Sequence, residues 1–520
     1  MDDHVENGRQ GWLVPTEGSA ITPVMVNAGN VAEDGPDSKP DQEDPVGNHV
    51  GHKTHVKHPT STVETLIHLL RGNIGSGMMA MGDAFRHAGL LVASTLTLFL
   101  AIVCVHSQHI LVNVSDEMKY RTGAPLPPDF ADAMEASFST GPDCLRRHSK
   151  MFRKIVNFFL CVTQFGFCCV YFVFVSSNLQ EVLKVYFPPI DLHWLMLIIL
   201  IPIMLSAWIR NLKFIAPLSM AANISMAAGI AITIYYASLD LPNISARRLG
   251  PESMLKLPLF LGTTIFAFEG IGLVLPLQNE MREPKKFSSP LGVLNGGMTI
   301  VTLLLITMGS LGYLQYGDGI KGSISLNLPD TVLAQCVKMA LSFGVLCSYA
   351  LQFYVPIDIL WPPVMKKYGP FKHKILYEIL FRTGFVLLTF ILAEAIPKLG
   401  LFISLVGAIS STALALMFPP LAEIACIMSR PQASEHKVPL EMEVVADLDG
   451  RGGTEIRNAY PSSYLKSDSG GHKYVALSRS HFWIVMAKDI FLILVGAFGF
   501  VSGTYASIVE IVHAFEEGID

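Results

Sequence analysis

The sequence predicts an all-α polytopic membrane protein with eleven transmembrane helices, arranged as a 5+5 inverted repeat with one additional helix. Three observations support this: a high apolar content, apolar runs that recur at membrane-spanning length, and two runs interrupted by glycine and polar residues. Of the 520 residues, 51% are hydrophobic and 16% are charged, whereas soluble domains are about 25% charged. The formal net charge of −5 gives no indication of a nucleic-acid partner. The expected surroundings are a lipid bilayer.

Eleven apolar segments come close to the roughly 20 residues that a helix needs to cross the hydrocarbon core of a bilayer. We expect these spans at 63–90, 91–112, 153–177, 192–209, 215–238, 257–278, 291–314, 331–357, 375–396, 399–428 and 483–512.

An odd number of spans in each half makes the two halves insert with opposite orientation. Within a transmembrane domain of 59–512, we therefore expect repeat one at 63–238 and repeat two at 257–428. The segment 483–512 is then an accessory helix.

The distribution of basic residues predicts the orientation, because cytosolic loops carry an excess of lysine and arginine. With the N-terminus in the cytosol, the interior loops hold 23 of these residues and the exterior connections about 7. The loop 429–482 is then cytosolic, and the C-terminus is exterior or lumenal. The tail 1–58 contains an acidic, proline-rich run and is expected to be a disordered cytosolic segment. Its closely spaced histidines are interpreted as a solvated tract, with metal binding as the alternative.

A glycosylation sequon offers a separate test of this orientation. Asn243 begins the sequence Asn-Ile-Ser in the exterior loop after span five, and it is the predicted glycosylation site. The sequons at Asn113 and Asn223 fall on the cytosolic side and inside a span. We therefore expect Asn243 alone to be modified.

Spans one and six are interrupted at 68–77 (HLLRGNIGSG) and 266–272 (FAFEGIG). Backbone without internal hydrogen bonds is tolerated at membrane depth only around a buried cavity. Breaks at corresponding positions of two halves indicate the substrate site of a transporter. Unwound helix ends present N–H groups to a carboxylate and C=O groups to an ammonium, which together suit an amino acid. The predicted substrate-binding residues are Asn73, Gly75, Ser76, Gly77, Tyr171, Phe266, Phe268, Glu269 and Gly270.

Four stretches resemble one known family. Residues 65–81 (TLIHLLRGNIGSGMMAM) and 266–284 (FAFEGIGLVLPLQNEMREP) are similar to the first and sixth spans of the proton-coupled amino acid transporters, a branch of the amino acid/auxin permease superfamily. Residues 167–175 and 352–356 resemble the third and eighth spans. The resemblance covers about 60–512 and implies an eleven-span, LeuT-like fold that moves small neutral amino acids with protons. Gln278 stands where that family usually has glutamate.

Two ionisable residues are candidates for proton coupling. His68 lies one turn before the first break, and imidazole ordinarily changes charge near neutral pH; the resemblance also places it at the family's first-span histidine. Glu269 lies inside the second break, where it can bind an ammonium, carry a proton or hold the unwound segments together. Glu378, Arg382 and Glu394 lie near the ends of span nine, where we expect them to reach the interface.

The leading prediction is therefore a secondary active transporter of small neutral amino acids that works by proton symport. The alternative is an amino-acid-sensing receptor (a transceptor) that signals through 1–58 and 429–482. An enzyme is not expected, because the spans show no nucleophile–base or metal constellation. We expect no cofactor and no metal; H⁺ is the expected driving ion, with Na⁺ left open. The plasma membrane and an endolysosomal membrane both fit.

Overall fold

The computed structural model describes residues 59–210, 216–369, 371–429, 465–467, 473–475 and 479–516. The predicted tail 1–58 and most of the predicted loop 429–482 lie outside the described residues. Two short strands, β1 (Leu465–Ser467) and β2 (Lys473–Val475), pair in antiparallel fashion; the remaining regular structure of the described residues is helical.

The helices, numbered in chain order, are α1 Thr62–Asn73, α2 Ser76–Ala88, α3 Leu90–Thr122, α4 Phe130–Ser139, α5 Asp143–Arg146, α6 Ser149–Leu183, α7 Leu192–Ala207, α8 Ala216–Ala237, α9 Leu257–Ala267, α10 Ile271–Glu280, α11 Val293–Tyr316, α12 Val332–Tyr368, α13 Lys374–Ala395, α14 Leu399–Val406, α15 Phe418–Met428 and α16 Arg479–Glu516. Short 3₁₀ turns lie at Ile244–Ala246, Pro284–Lys286, Gly317–Gly319 and Ile324–Asn327, and π-helical turns at Gly407–Ser411 and Ala413–Met417.

Within the described ranges, nine helical segments are long and apolar enough to cross a membrane. The prediction of a helical protein with several membrane-spanning segments is confirmed. The predicted span 192–209 corresponds to α7, which is apolar but only 16 residues long. The predicted span 63–90 is divided between α1 and α2.

The chain between the predicted second and third spans (91–112 and 153–177) is largely helical. α3 continues to Thr122, and α4 follows with one apolar face that includes the buried residues Phe130, Met134 and Phe138. The ring of Phe138 stacks on that of Phe152 in α6, with 3.9 Å between the ring centroids. The spacing of three to four residues on this face is typical of an amphipathic helix.

The tenth span passes through two π-helical turns between α14 and α15. It lies very close to α9: a Cβ added to Gly407 would meet the carbonyl oxygen of Gly262 at 1.9 Å, and one added to Gly262 would meet that of Ser404 at 2.4 Å. Glycine at both positions lets the two backbones touch. This contact fixes α9, and with it the start of the second break.

Two charged residues of span nine, Glu378 and Arg382, are buried in the protein instead of reaching the interface. Glu378 and Arg382 are 6% and 4% exposed, and they form an ion pair of 3.1 Å one helical turn apart. Arg210 at the end of span four also pairs with Glu378, at 2.9 Å. For these two residues the expectation was wrong, because the sequence does not show that Arg210, 168 residues earlier, pairs with Glu378. Glu394 pairs with His193.

The chain before α1 is paired with the chain after α10. The backbone N–H of Thr60 donates to the carbonyl of Glu280 at 2.8 Å, and the N–H of Arg282 donates to the carbonyl of Thr60 at 3.0 Å. α1 itself begins with a capping box, in which Ser61 and Glu64 each accept a hydrogen bond from the other's backbone N–H. This arrangement fixes the start of α1 and the end of α10 together.

Candidate functional site

Both predicted interruptions are present as short non-helical segments. Between α1 and α2 the backbone becomes extended at Ile74 (φ −93°, ψ 109°) and at Gly75 (φ −170°, ψ −151°). Between α9 and α10, residues 268–270 leave the helix, with Gly270 at φ −145° and ψ 2°. Each break therefore provides one helix C-terminus and one helix N-terminus, whose backbone groups have no partner within the helix.

The two breaks pack directly against each other. A Cβ added to Gly270 would lie 2.7 Å from Nδ2 and 2.8 Å from Oδ1 of Asn73. A Cβ added to Gly77 would lie 2.9 Å from Cα of Ala267 and 3.0 Å from Cδ1 of Phe266. Glycine is thus needed at both positions because the opposite chain already occupies the space.

Gly75 has a different environment. No described atom lies within 4 Å of a Cβ added there, and Gly75 lines a cavity. The sequence analysis predicted both Gly75 and Gly77 as substrate-binding residues. Only Gly75 faces open space, whereas the space beside Gly77 is filled by α9.

The cavity has a volume of about 320 Å³ and lies beside both breaks. It extends along α1, α10 and α12 as far as His68, Glu280 and Tyr354, so its mouth lies at the end of the bundle where α1 begins. Eight predicted residues line it: His68, Asn73, Gly75, Ser76, Gly77, Tyr171, Phe266 and Glu269. The predicted residues Phe268 and Gly270 are not among the lining residues; Phe268 is 2% exposed and packs in the core.

An aromatic group forms one wall of the cavity. Phe167 and Phe266 have ring centroids 4.5 Å apart, and Phe167 lies 6.3 Å from Tyr171. The Tyr171 hydroxyl accepts a hydrogen bond from Nε2 of Gln352 at 3.5 Å. The sequence did not single out Phe167 and Gln352 as site residues, although both lie in the stretches that carried the family resemblance.

Three polar atoms near the breaks are buried and have no hydrogen-bond partner among the described residues. They are Oδ1 of Asn73, Oγ of Ser76 and Oε2 of Glu269. Asn73 uses only its Nδ2, which donates to the carbonyl of Leu69 at 2.9 Å. Because buried polar atoms normally have partners, groups of this kind are suited to bind a polar ligand.

The two predicted proton-coupling residues occupy different depths. Glu269 is buried at the second break, near Ser411 of the π-helical segment. His68 is exposed at the cavity mouth, on the same face of α1 as Glu64, four residues earlier. His68 and Glu269 therefore lie at the outer and inner ends of one cavity. Among the described residues, no group of three or more His, Cys, Asp or Glu side chains could hold a metal ion.

A family model described as "Transmembrane amino acid transporter protein" matches residues 58–444. The "Proton-coupled amino acid transporter-like protein pathetic" of Drosophila melanogaster is 39% identical over 371 residues, which are 71% of this chain and 77% of that protein. The "Probable amino acid transporter skat-1" of Caenorhabditis elegans is 26% identical over 372 residues, covering 70% and 80% of the two chains.

Two solved structures are similar at low sequence identity. The inward-facing conformation of Mhp1 is 13% identical, with 89% of this chain and 93% of that chain covered and a TM-score of 0.48. MhsT in complex with L-phenylalanine is 14% identical, with 72% and 90% covered and a TM-score of 0.43. Both TM-scores are below 0.5, so neither structure supports an inference about this chain.

Proposed function

The chain belongs to the transmembrane amino acid transporter family, and we propose that it moves small neutral amino acids across a membrane together with protons. Amino acid transport follows from the family, and no enzymatic activity is expected of it. The size and charge of the substrate and the coupling to protons are the proposed part. The observation that carries the proposal is the cavity at the two breaks, where helix ends and unpartnered polar atoms meet.

The helix ends at the breaks suit a zwitterion. The N-termini of α2 and α10 begin at Ser76 and Ile271, and their free N–H groups favour a carboxylate. The C-terminus of α1 at Asn73 presents carbonyl groups that favour an ammonium. Both features occur within one cavity, so an α-amino acid can use them together.

The cavity's volume and aromatic wall support a small, uncharged side chain. A volume of about 320 Å³ lies at the lower end of ordinary ligand pockets, which are roughly 300–1,000 Å³. Phe167, Phe266 and Val345 supply apolar surface. A large substrate side chain would lack room in this cavity. A charged one would have no ion-pair partner at the aromatic wall.

We propose His68 as the residue that takes up the transported proton, with Glu269 as the second candidate. Both line the substrate cavity, so a proton bound at either one can influence substrate binding. We also propose the complete topology: eleven spans, inverted repeats at 63–238 and 257–428, an accessory helix at 483–512, a cytosolic N-terminus and an exterior or lumenal C-terminus. With that orientation, the cavity described above opens toward the cytosol.

The test is uptake by purified protein in liposomes, with a panel of amino acids, with and without Na⁺. An exterior pH of about 5.5 against an interior pH of about 7.5 spans the ordinary titration range of imidazole. We expect small neutral amino acids to accumulate under this gradient without Na⁺. Binding without accumulation would indicate a receptor, and accumulation that requires Na⁺ would refute proton symport.

A matched pair of serines tests the site itself. Ser76→Ala removes a cavity hydroxyl that has no partner among the described residues. Ser94→Ala instead removes a hydroxyl on α3 that donates to the carbonyl of Leu90. We expect Ser76→Ala to raise KM about fivefold, which corresponds to one lost hydrogen bond, and Ser94→Ala to leave KM unchanged. Equal KM values for the two variants would remove Ser76 from the substrate site.

A further inference from the structure

A second cavity lies further along α2, beyond the substrate cavity. Its volume is about 750 Å³, and its lining includes Asp83 and His87 of α2, Arg248, Asp318 and Gly400. α2 borders both cavities, since Gly77 lines the first and Asp83 lines the second. With a rise of about 1.5 Å per residue, these two positions are about 9 Å apart along the helix.

The layer between the cavities is packed protein. Met78, Met79, Ala80 and Met81 of α2 are all 0% exposed. A solute that moves from the second cavity to the first must therefore displace α2 from a neighbouring element. The contacts of Asp83 identify which neighbours these are.

Asp83 is 7% exposed and lies against the first turn of α14. A Cβ added to Gly400 would come 2.2 Å from Oδ2 of Asp83. On its own helix, Oδ1 of Asp83 lies 2.7 Å from Nη2 of Arg86 and 4.0 Å from Nε2 of His87. One carboxylate oxygen is thus directed at α14, while the other forms an ion pair within α2.

The segment between α11 and α12 completes the contact. A Cβ added to Gly322 would lie 2.8 Å from the backbone N of Gly400. A Cβ added to Gly82 would lie 2.3 Å from Cδ1 of Ile320, which is 3% exposed. Three separate elements therefore meet at residues 82–83, and each approaches closely because a glycine lies at the contact.

We propose that Asp83 is a positioning residue that holds α2 against Gly322 and Gly400, and that separation of this contact opens the route from the second cavity to the substrate cavity. We call the contact of Asp83, Gly322 and Gly400 the α2–α14 latch. The inference rests on the proposed transport function, which requires the substrate cavity to open toward each side in turn. The structure has the substrate cavity open at the α1 end and the latch closed.

The test measures both openings in purified full-length protein with one added reporter cysteine at a time, against a background in which the six native cysteines that remain are buried. Ser348→Cys reports on the substrate cavity, which Ser348 lines, and Ile320→Cys reports on the latch. The exposed Cys144 and Cys336 are replaced by serine in all proteins. The rate of modification by a small water-soluble maleimide is measured for each reporter, and no substrate is needed.

Gly400→Ala places a methyl group 2.2 Å from the position of Oδ2 of Asp83, so the Asp83 carboxylate must shift away from α14. We expect the rate of maleimide modification to rise for Ile320→Cys and to fall for Ser348→Cys, each by at least about fivefold. That factor corresponds to the lower end of the usual free-energy cost of overpacking. Asp83→Ala should produce the same pair of changes. The double variant that also carries Gly400→Ala should have rates close to those of Asp83→Ala alone. Asp83→Asn keeps the shape of the side chain and should remain close to wild type.

Gly384→Ala on α13 is the matched control, because no described atom lies within 4 Å of its added Cβ. Unchanged rates in both Gly400→Ala and Asp83→Ala would overturn the proposal. Rates that rise together at both reporters would also overturn it, since general loosening has that effect. If Gly400→Ala does not fold, Asp83→Ala alone decides between these outcomes. Failed amino acid uptake alongside reciprocal rates would refute the proposed function and leave the latch standing.

Discussion

Replacing Gly75 or Gly77 by alanine separates two roles that glycine has at the first break. Both positions line the cavity, yet a Cβ added to Gly75 meets open space and one added to Gly77 meets α9. We expect Gly75→Ala to impair substrate binding while leaving stability intact. We expect Gly77→Ala to lower stability.

The expected magnitudes follow from the surroundings of each added methyl group. At Gly75 the backbone is extended, so alanine fits without strain, and the loss of chain freedom in the unfolded state can stabilise the protein by up to about 1 kcal/mol. At Gly77 the methyl group would lie 2.9 Å from Cα of Ala267. Overpacking of that kind costs about 1–3 kcal/mol, and the better helix propensity of alanine offsets about 1 kcal/mol of it. The net loss is therefore up to about 2 kcal/mol.

The assay combines thermal denaturation of the purified variants with initial-rate uptake in liposomes. For Gly75→Ala we expect an unchanged or higher Tm and a KM raised at least about tenfold, as for one misplaced methylene in a close-fitting pocket. For Gly77→Ala we expect a lower Tm. A Gly75→Ala variant with wild-type KM would show that the substrate does not occupy this cavity, and an undiminished Tm in Gly77→Ala would contradict the close packing of the breaks.

Three further predictions concern topology, coupling and a buried ion pair. Asn243→Gln should abolish the N-glycan in mammalian cells, seen as a mobility shift that matches glycosidase treatment; sugar on Asn113 would reverse the proposed orientation. His68→Ala should lose accumulation driven by a pH gradient while substrate exchange persists, measured in the same liposomes; an unchanged pH dependence would shift attention to Glu269. Arg382→Met removes one ion pair of the buried Glu378 and keeps the pair with Arg210; it should destabilise the protein by about 3 kcal/mol, whereas a Tm equal to wild type would mean that the remaining contacts of Glu378 suffice.

The sequence could predict the two breaks because glycine and polar residues are conspicuous in an apolar run. Gly75 and Glu269 fall inside the observed interruptions for this reason. The sequence could not predict which of the two glycines faces a ligand, because that depends on which residues of the second break lie opposite each glycine. Gly77 meets Ala267 of α9, almost 200 residues away in the sequence.

Other features depend on partners that no local pattern reveals. Arg382 is four residues from Glu378, a spacing that fits an exposed ion pair as well as a buried one. The structure shows that this pair is buried and that Glu378 also pairs with Arg210. The π-helical turns at 407–417 begin where the tenth span lies against α9, and their apolar composition does not distinguish them from α-helix. The predicted inverted repeat and the glycan on Asn243 stay predictions.

The pairing of Thr60 with residues 280–282 has a consequence for biosynthesis. The two partners are 220 residues apart, and a ribosome adds about 5–20 residues per second. The first span therefore waits roughly 10–45 s for its backbone partner after leaving the ribosome. During that interval its Gly-rich interruption has no opposing chain to pack against. Until the sixth span has been made, the first span lacks the backbone partner that it has in the structure, so arrest of translation between these two points should yield short-lived nascent chains.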